Sequence, residues 1–414
     1  MKDNLLLKNN GSIQFDDIFV KDIIKKTGTP VYVYSARGIV NTTNYFKSAI
    51  NIDKDIAYKY AVKANTNLEI IKLINENGFG TDVVSGGELI ASLKAGVNPK
   101  DIVFAGVGKT VEEIKLAFEK NIGYISTESD WEIERIREIC KLFNTSTKLL
   151  VRTNLNVDSS THPYLTTGRE ENKFGIDSAL VLKKYKEWQN TLSIPIDGVQ
   201  IHIGSQITDV APFEEAANST IQFVDELRKG GAVVKIVDFG GGVGIPYSNN
   251  EIINIKAYGK IIRSMQKKLN VRIILEPGRF LVANNGILLG STIYFKYGVK
   301  KNFLVTDIAM NDLIRPALYK AYHQILTGFE GDRKISDKPV DVVGPICESG
   351  DYISLNQKSF PILKPDDYIA VKSAGAYGFV MASNYNMRPK PAEVLIKENE
   401  IIIIRKRQNV SGLI

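Results

Sequence analysis

Residues 56 to 65 read IAYKYAVKAN. Apolar and aromatic residues surround Lys59 and carry the chain to Lys63, so the run reads as a buried strand with a water-preferring side chain at its tip. Seven comparable runs follow: GTDVVS (80–85), DIVFAG (101–106), GYISTES (123–129), KLLVRTN (148–154), IDGVQIHIG (196–204), VVKIVDFGGG (233–242) and RIILEPGR (272–279). Between them lie amphipathic segments such as NLEIIKLINENG, GELIASLKAG, VEEIKLAFEKN and DWEIERIREICKLF, several closed by Gly as helix C-termini often are. Eight strand-and-helix units between about residues 38 and 285 predict a (β/α)8 TIM-type barrel, whose catalytic groups sit at the C-terminal ends of the strands.

After residue 286 the pattern changes to period-two strands with turn residues: ILLGSTIYFKYG, NFLVTDIAMN, VDVVGPIC, DDYIAVKSAGAYG and EVLIKENEIIIIRKR. These predict a second, mostly antiparallel β domain, a β-barrel or sandwich. PVYVYSA (30–36) is a similar strand ahead of the barrel. The expected organisation is therefore residues 1–37 as an N-terminal strand part of the β domain, 38–285 as the barrel and 286–414 as the C-terminal β domain. A chain of 414 residues suits two unequal domains.

At 44% hydrophobic and 24% charged, the composition is that of a globular protein with a large core. The start, MKDNLLLKNNGSIQFDD, has one short apolar patch broken by Lys8, Asn9 and Asn10, unlike a signal peptide, and no run reaches the length of a membrane helix. Cys140 and Cys347 lie far apart and form no CxxC, which argues against a disulfide framework or structural zinc and for a reducing cytoplasm. The net charge of +7 is spread along the chain, with KKNF and RKR the densest clusters; it suits a small anionic substrate or cofactor better than nucleic acid.

The unusual residues collect at the expected strand ends. Lys63 ends the first strand, Asp82 and Ser85 stand in the second, Arg152 near the end of the fifth and His202 at the end of the sixth. Gly240, Gly241 and Gly242 follow the seventh; Glu276 and Arg279 follow the eighth. Each has an ordinary reading: a solvated lysine, a satisfied core histidine, a tight glycine turn, a Pro-Gly turn. DFGGGVGIP fails the GxGxxG pattern at Ile245, and AGVGKT lacks the first P-loop glycine at Val103. In a barrel, however, the loops after strands seven and eight are a recurrent phosphate site. An amine, a flat ring, a carboxylate and a phosphate cradle around one barrel mouth are what pyridoxal phosphate needs. Desolvation lowers a lysine's pKa and favours the neutral amine, which gives Lys63 a reason to end a buried strand.

YAVKAN (60–65), DVVSGGE (82–88), HIGSQ (202–206), FGGGVG (239–244), EPGR (276–279), CESGD (347–351) and AGAYG (374–378) together make the chain resemble the fold type III pyridoxal phosphate-dependent decarboxylases, and most closely the diaminopimelate decarboxylase family. The resemblance implies decarboxylation of meso-2,6-diaminopimelate to L-lysine and CO2, the last step of lysine biosynthesis. It also implies that Lys63 forms the Schiff base with the cofactor and that His202 stacks on its ring. Ser205 and Gly240 to Gly242 would hold the phosphate, Glu276 the pyridine nitrogen, and Asp82, Pro277, Gly278, Arg279 and Tyr377 would complete the cofactor site. Arg279, Arg315 and Tyr319 of RPALY, Glu348 and Tyr377 would bind substrate. Cys347 is the candidate acid that returns a proton, since a free thiol titrates near 8.5 and is mostly protonated at neutral pH. Asp82, Glu88 and Arg152 match supporting positions. The resemblance further implies a homodimer with shared sites, Cys347 and Glu348 being supplied in trans.

Arg315 carries much of the substrate assignment, because a guanidinium suits a distal carboxylate whereas an ornithine decarboxylase is expected to place an acid there. THPYLTTG (161–168) and KFG (173–175) also resemble the diaminopimelate branch, while Ser159 and Ser160 are small departures. Rival readings are a decarboxylase of ornithine, arginine or carboxynorspermidine, and an inactive partner-binding relative. A metal hydrolase has little support, with only His162, His202 and His323 in the chain and no HExxH.

Overall fold

The computed structural model describes residues 5–9, 11–50, 55–156, 173–248 and 253–414. The chain divides into two compact units, one of Thr43–Ile245 with Glu251–Phe280 and one of Met1–Thr42, Pro246–Asn250 and Leu281–Ile414.

The first unit is a closed barrel. Its strands are β1 (Ile56–Ala61), β2 (Gly80–Val83), β3 (Ile102–Phe104), β4 (Tyr124–Thr127), β5 (Lys148–Asn154), β6 (Ile196–Gln200), β7 (Ile236–Asp238) and β8 (Arg272–Leu275). Each pairs in parallel with its neighbours in sequence, and β8 pairs with β1 to close the ring. Parallel pairs need long crossovers, and a helix fills each one. Local chemistry starts these helices: Asn67, Ser85, Thr110 and Ser129 each accept a hydrogen bond from a backbone N–H of the following helix. Inside the ring, Ala57, Val103, Leu150, Ile236 and Ile274 form an apolar layer, with Tyr124 against it.

The structure corrects three strand assignments made from sequence. Lys63 does not end β1 but lies in a 3-10 turn, Val62–Ala64, beyond it. The Ala61 N–H still bonds the Pro277 carbonyl at 3.3 Å, but proline has no N–H to continue the ladder. His202 lies two residues past β6, because the neighbouring β7 stops at Asp238 and Gly240 turns away with φ +65°. Ser85 is not in β2; it caps the helix Gly86–Lys94, its Oγ accepting from Glu88 N at 3.2 Å.

The second unit centres on a mixed sheet. Strand Gly286–Lys296 pairs antiparallel with Val31–Ser35, Asn302–Thr306 and Tyr368–Val371, and Ala392–Lys397 forms a hairpin with Glu400–Arg405. Two pairs are parallel, Val31–Ser35 with Ala392–Lys397 and Asn302–Thr306 with Val340–Val343, so the sheet is mostly rather than wholly antiparallel. Its core joins Val31, Val33, Ile287, Leu289, Val394 and Ile396 to Ile13, Phe15, Val20 and Ile23 near the start of the chain. The N-terminal meander Leu6–Asn9, Ser12–Phe15 and Ile18–Phe19 was not read from the sequence.

The interior layer of the barrel predicts a test of stability. Leu150 is fully buried there, so Leu150→Ala should cost about 2–5 kcal/mol, whereas Trp131→Ala, at a position 83% exposed, should stay within about 0.5 kcal/mol. Denaturant unfolding distinguishes the two; equal losses would contradict this packing.

Candidate active site

The barrel strands deliver a lysine, a histidine and several carboxyl groups to their C-terminal ends. β1 and β2 pair with Ala61 opposite Asp82, which places the Asp82 carboxylate beside the turn that carries Lys63. Lys63 Nζ donates to Asp82 Oδ2 at 2.9 Å. Asp82 is buried, and its other oxygen, Oδ1, has no hydrogen-bond partner among the described residues. The turn is held by neighbours: the Tyr60 hydroxyl donates to the Asn65 carbonyl at 2.9 Å, and Asn65 N donates to Val62 O. On the β8 side, a Cβ at Gly278 would stand 2.9 Å from Ala61 Cβ and 3.2 Å from Ala64 Cβ, so glycine lets the EPGR turn press against the lysine turn.

Glu276 follows β8 and is buried with Asp238, the last residue of β7. Gln200, at the end of β6, donates from Nε2 to Asp238 Oδ2 at 3.2 Å and to Glu276 Oε1 at 3.1 Å. The Ser126 hydroxyl donates to Gln200 Oε1 at 2.7 Å, which fixes the amide's orientation, and Gly240 N donates to Asp238 Oδ1 at 2.9 Å. Burial drives the Glu276 pKa well above the usual carboxyl range, and the charges of Asp238 and Asp82 push the same way. Asp238 is raised as well, chiefly by burial. The pair therefore retains a proton at neutral pH.

His202 accepts a hydrogen bond at Nδ1 from Gly241 N at 3.3 Å, which leaves Nε2 to carry the proton of a neutral imidazole. Its pKa lies well below the ordinary value, first through burial and then through the positive charges of Arg152 and Lys63. The glycine turn is close-packed: a Cβ on Gly242 would stand 2.5 Å from the Gly204 carbonyl, and the residue has φ +94°. The Gly242 N–H has no hydrogen-bond acceptor among the described residues. Nearby, Arg279 Nη2 donates to Ser205 Oγ at 3.2 Å.

A second charged layer lies around Arg152. Its Nη1 pairs with Glu128 Oε1 at 2.7 Å, and Glu128 also accepts from the N–H groups of Gly106 and Gly175. The guanidinium lies 4.7 Å from the Phe174 ring, which gives KFG a structural task. Glu88 accepts from Val84 N at 2.9 Å, and burial raises its pKa to about 7. Gln200, Asp238 and Glu128 were not singled out from sequence; each sits on a barrel strand or in the loop just after it, and no local motif marked them.

In the second unit, Arg315 opens the short helix Arg315–Tyr319 and is buried. Its Nε donates to His323 Nε2 at 3.3 Å, and His323 Nδ1 donates to the Lys372 carbonyl at 2.8 Å. The guanidinium stacks on Tyr247 at 4.8 Å and stands 5.8 Å from Tyr319. His323 thus braces Arg315, a role the sequence did not reveal. Tyr377 takes the left-handed backbone conformation, φ +53°, which is uncommon for a residue with a side chain. Cys347 and Glu348 are both exposed on a loop anchored by Asp351, which accepts from Ile346 N and Met310 N. Ser159, Ser160 and His162, with the rest of THPYLTTG, lie outside the described residues.

The family model for the pyridoxal binding domain of pyridoxal-dependent decarboxylases matches residues 37–283. Diaminopimelate decarboxylase of Zymomonas mobilis is 41% identical over 98% of this chain and 96% of its own. The chain belongs to the diaminopimelate decarboxylase family. Among solved structures, diaminopimelate decarboxylase from M. jannaschii in co-complex with L-lysine superposes with a TM-score of 0.92 at 35% identity, over 99% of this chain and 96% of that one. The Helicobacter pylori enzyme complexed with L-lysine gives 0.88 at 37% identity, over 95% and 98%. The barrel mouth fits the pyridoxal group of this family. It offers a primary amine, a proton-holding carboxyl pair and, counting partners among the described residues, a buried Asp82 oxygen lacking one and a glycine turn with an unbonded N–H.

The carboxyl pair makes a pH-dependent prediction. Glu276 has a raised pKa when folded, so its contribution favours folding below its ordinary value of 4.5 and is lost as pH rises through the raised range. In protein stripped of pyridoxal phosphate, Glu276→Gln should therefore unfold at a higher temperature than the parent at pH 8, with the gap closing toward pH 4.5. Thermal unfolding at both pH values is the check; a pH-independent difference would contradict the buried ionisation.

Proposed function

We propose that the chain catalyses decarboxylation of meso-2,6-diaminopimelate to L-lysine and carbon dioxide, with pyridoxal phosphate as cofactor. The observation that carries the substrate assignment is Arg315, a buried guanidinium braced by His323 and stacked on Tyr247. A substrate with a carboxylate at its far end needs such a fork, because two parallel charge-assisted hydrogen bonds match its geometry. Ornithine or arginine would present a cation to Arg315, a like-charge clash. The lysine complexes of the M. jannaschii and Helicobacter pylori relatives support the same choice.

The chemistry supplied by bound pyridoxal phosphate is a carbonyl that condenses with amines and an electron sink for the pair released at decarboxylation. Lys63 supplies the amine that holds the cofactor, and Asp82 orients its Nζ from 2.9 Å. Glu276 holds a proton for the pyridine nitrogen, steadied by Gln200 and Asp238. His202, kept neutral, offers a flat ring without adding charge. The phosphate would be held by the Ser205 hydroxyl and the Gly240 to Gly242 turn, whose Gly242 N–H is left to donate while those of Gly240 and Gly241 bond Asp238 and His202, with Pro277, Gly278 and Arg279 shaping the adjoining turn and Tyr377 completing the cofactor contacts. Arg279, Arg315, Tyr319 and Tyr377 bind the substrate, and Glu348 accepts from an ammonium group. Cys347 returns a proton to the carbon that loses its carboxylate.

This reading includes a homodimer in which Cys347 and Glu348 serve the partner's site, supported by the exposure of both in the single chain. It also includes a cytoplasmic location, which suits two free thiols. Among the described residues no helix is long and apolar enough to cross a membrane.

Incubation of the purified protein with pyridoxal phosphate and meso-2,6-diaminopimelate should yield lysine by mass spectrometry, and Lys63→Ala should lose at least roughly 10³-fold in turnover without added amines. Near-normal turnover by Lys63→Ala would overturn the scheme. Arg315→Ala should raise KM on the order of 100-fold, about 2–3 kcal/mol, for diaminopimelate, and His323→Phe should raise it less with little change in kcat. A substrate panel scored by released carbon dioxide, in which ornithine outperforms diaminopimelate, would move the assignment to the ornithine branch.

A further inference from the structure

The opposite end of the barrel carries a charged cavity that the proposed reaction does not use. It is a half-open pocket of about 230 Å³, and its polar lining includes Lys59, Lys100, Asp101, Ser146, Lys148 and Arg272. These residues belong to the N-terminal ends of the strands: Lys148 is the first residue of β5, Arg272 the first of β8, and Asp101 directly precedes β3. The apolar interior layer, through Ala57 and Ile274, separates the cavity from the strand ends that carry Lys63 and Glu276.

The charges here do not balance. Lys59 is buried, 4% exposed, and its Nζ lies 3.0 Å from Asp101 Oδ1. Asp197 serves two lysines at once, Lys148 at 2.7 Å and Lys235 at 3.4 Å. Lys100 bonds only the neutral Ser146 hydroxyl, and Arg272 has no ion-pair partner among the described residues. Five cations thus share two carboxylates. The crowding reaches Lys59, whose ammonium form is disfavoured first by burial and also by repulsion from Arg272. Lys100 and Arg272 are exposed and Lys148 is half-buried, whereas Lys59 is buried. Lys59, Lys100, Lys148 and Arg272 lining one cavity with Asp101 its sole carboxylate give it a positive potential that a bound anion would neutralise.

We propose that this cavity is an anion site that takes a small oxyanion of two or more negative charges, of the phosphate or pyrophosphate type, held by Lys59, Lys100 and Arg272. The volume lies below the roughly 300–1,000 Å³ of ordinary small-molecule sites, which suits a small ion. At about 30 Å³ per water it has room for several waters, the space a small oxyanion needs.

The test uses holoenzyme, so that the cofactor fills the phosphate cradle at the other end. Thermal unfolding and calorimetric titration are run with sodium phosphate and sodium pyrophosphate against sodium chloride of equal ionic strength. Both oxyanions should give a saturable rise in melting temperature, larger for pyrophosphate, that chloride does not reproduce. The Lys100→Ala/Arg272→Ala double variant should bind more weakly, on the order of tenfold or more, while its decarboxylation rate without added oxyanion stays at the parent's value. Lys100→Arg/Arg272→Lys, which keeps both charges, should retain binding. Absence of saturable binding by the parent holoenzyme, or binding that the double alanine variant keeps, would overturn the proposal.

Discussion

One amide nitrogen, Gln200 Nε2, stands between two buried carboxyl groups, at 3.2 Å from Asp238 and 3.1 Å from Glu276. Burying two ionised carboxylates side by side is prohibitive, so the pair keeps a proton and uses the amide to satisfy the remaining lone pairs. The arrangement is preset by the barrel: Gln200 is opposite Asp238 in the ladder of β6 and β7, and Ser126 from β4 orients the amide. Gly240 N–H meets the outer Asp238 oxygen, so the start of the glycine turn is tied to the same cluster. Around this fixed proton, the other protonation states fall into line. His202 stays neutral because it is buried and faces Arg152 and Lys63, and Lys63 finds its counter-charge in Asp82.

Backbone geometry does as much as charge in placing these groups. The lysine turn exists because Pro277 ends the ladder to β8 and Gly278 permits close approach. In the second unit, Arg315 is placed by side chains: His323 takes its Nε, Lys372 fixes the His323 tautomer, and two tyrosines flank the guanidinium. An arginine held in this way loses less conformational freedom on meeting a carboxylate than a solvated one, which favours affinity without further contacts. The same logic applies to CESGD, where Asp351 spends its carboxylate on two backbone N–H groups so that Cys347 and Glu348 are presented from an anchored loop.

What the sequence disclosed follows from how local each signal is. The eight alternating runs and Ser or Thr caps are read within a dozen residues, and the barrel was legible from them. The lysine, histidine and glycine turn were legible because each sits in a short run of unusual composition. Gln200 and Asp238 were not, since their meaning depends on a neighbour 38 residues away and appears only when β6 and β7 are aligned. His323 was passed over because its partner Arg315 is fixed by tertiary packing and not by a helical repeat. Strand ends were overrun by a few residues at Lys63 and His202, where pairing stops for reasons that lie in the neighbouring strand's proline or glycine.

The two ends of the barrel differ in charge balance. At the C-terminal ends Lys63 and Arg152 pair with Asp82 and Glu128 while the Glu276–Asp238 pair keeps a proton, whereas lysines and Arg272 outnumber the carboxylates at the N-terminal ends. Lys59 lies between them, pointing from β1 into the interior: Asp101 and Asp238 favour its charged form while burial and Arg272 oppose it. The apolar layer of Leu150, Val103 and their neighbours stands between the two sets of charges, so each end keeps its own balance.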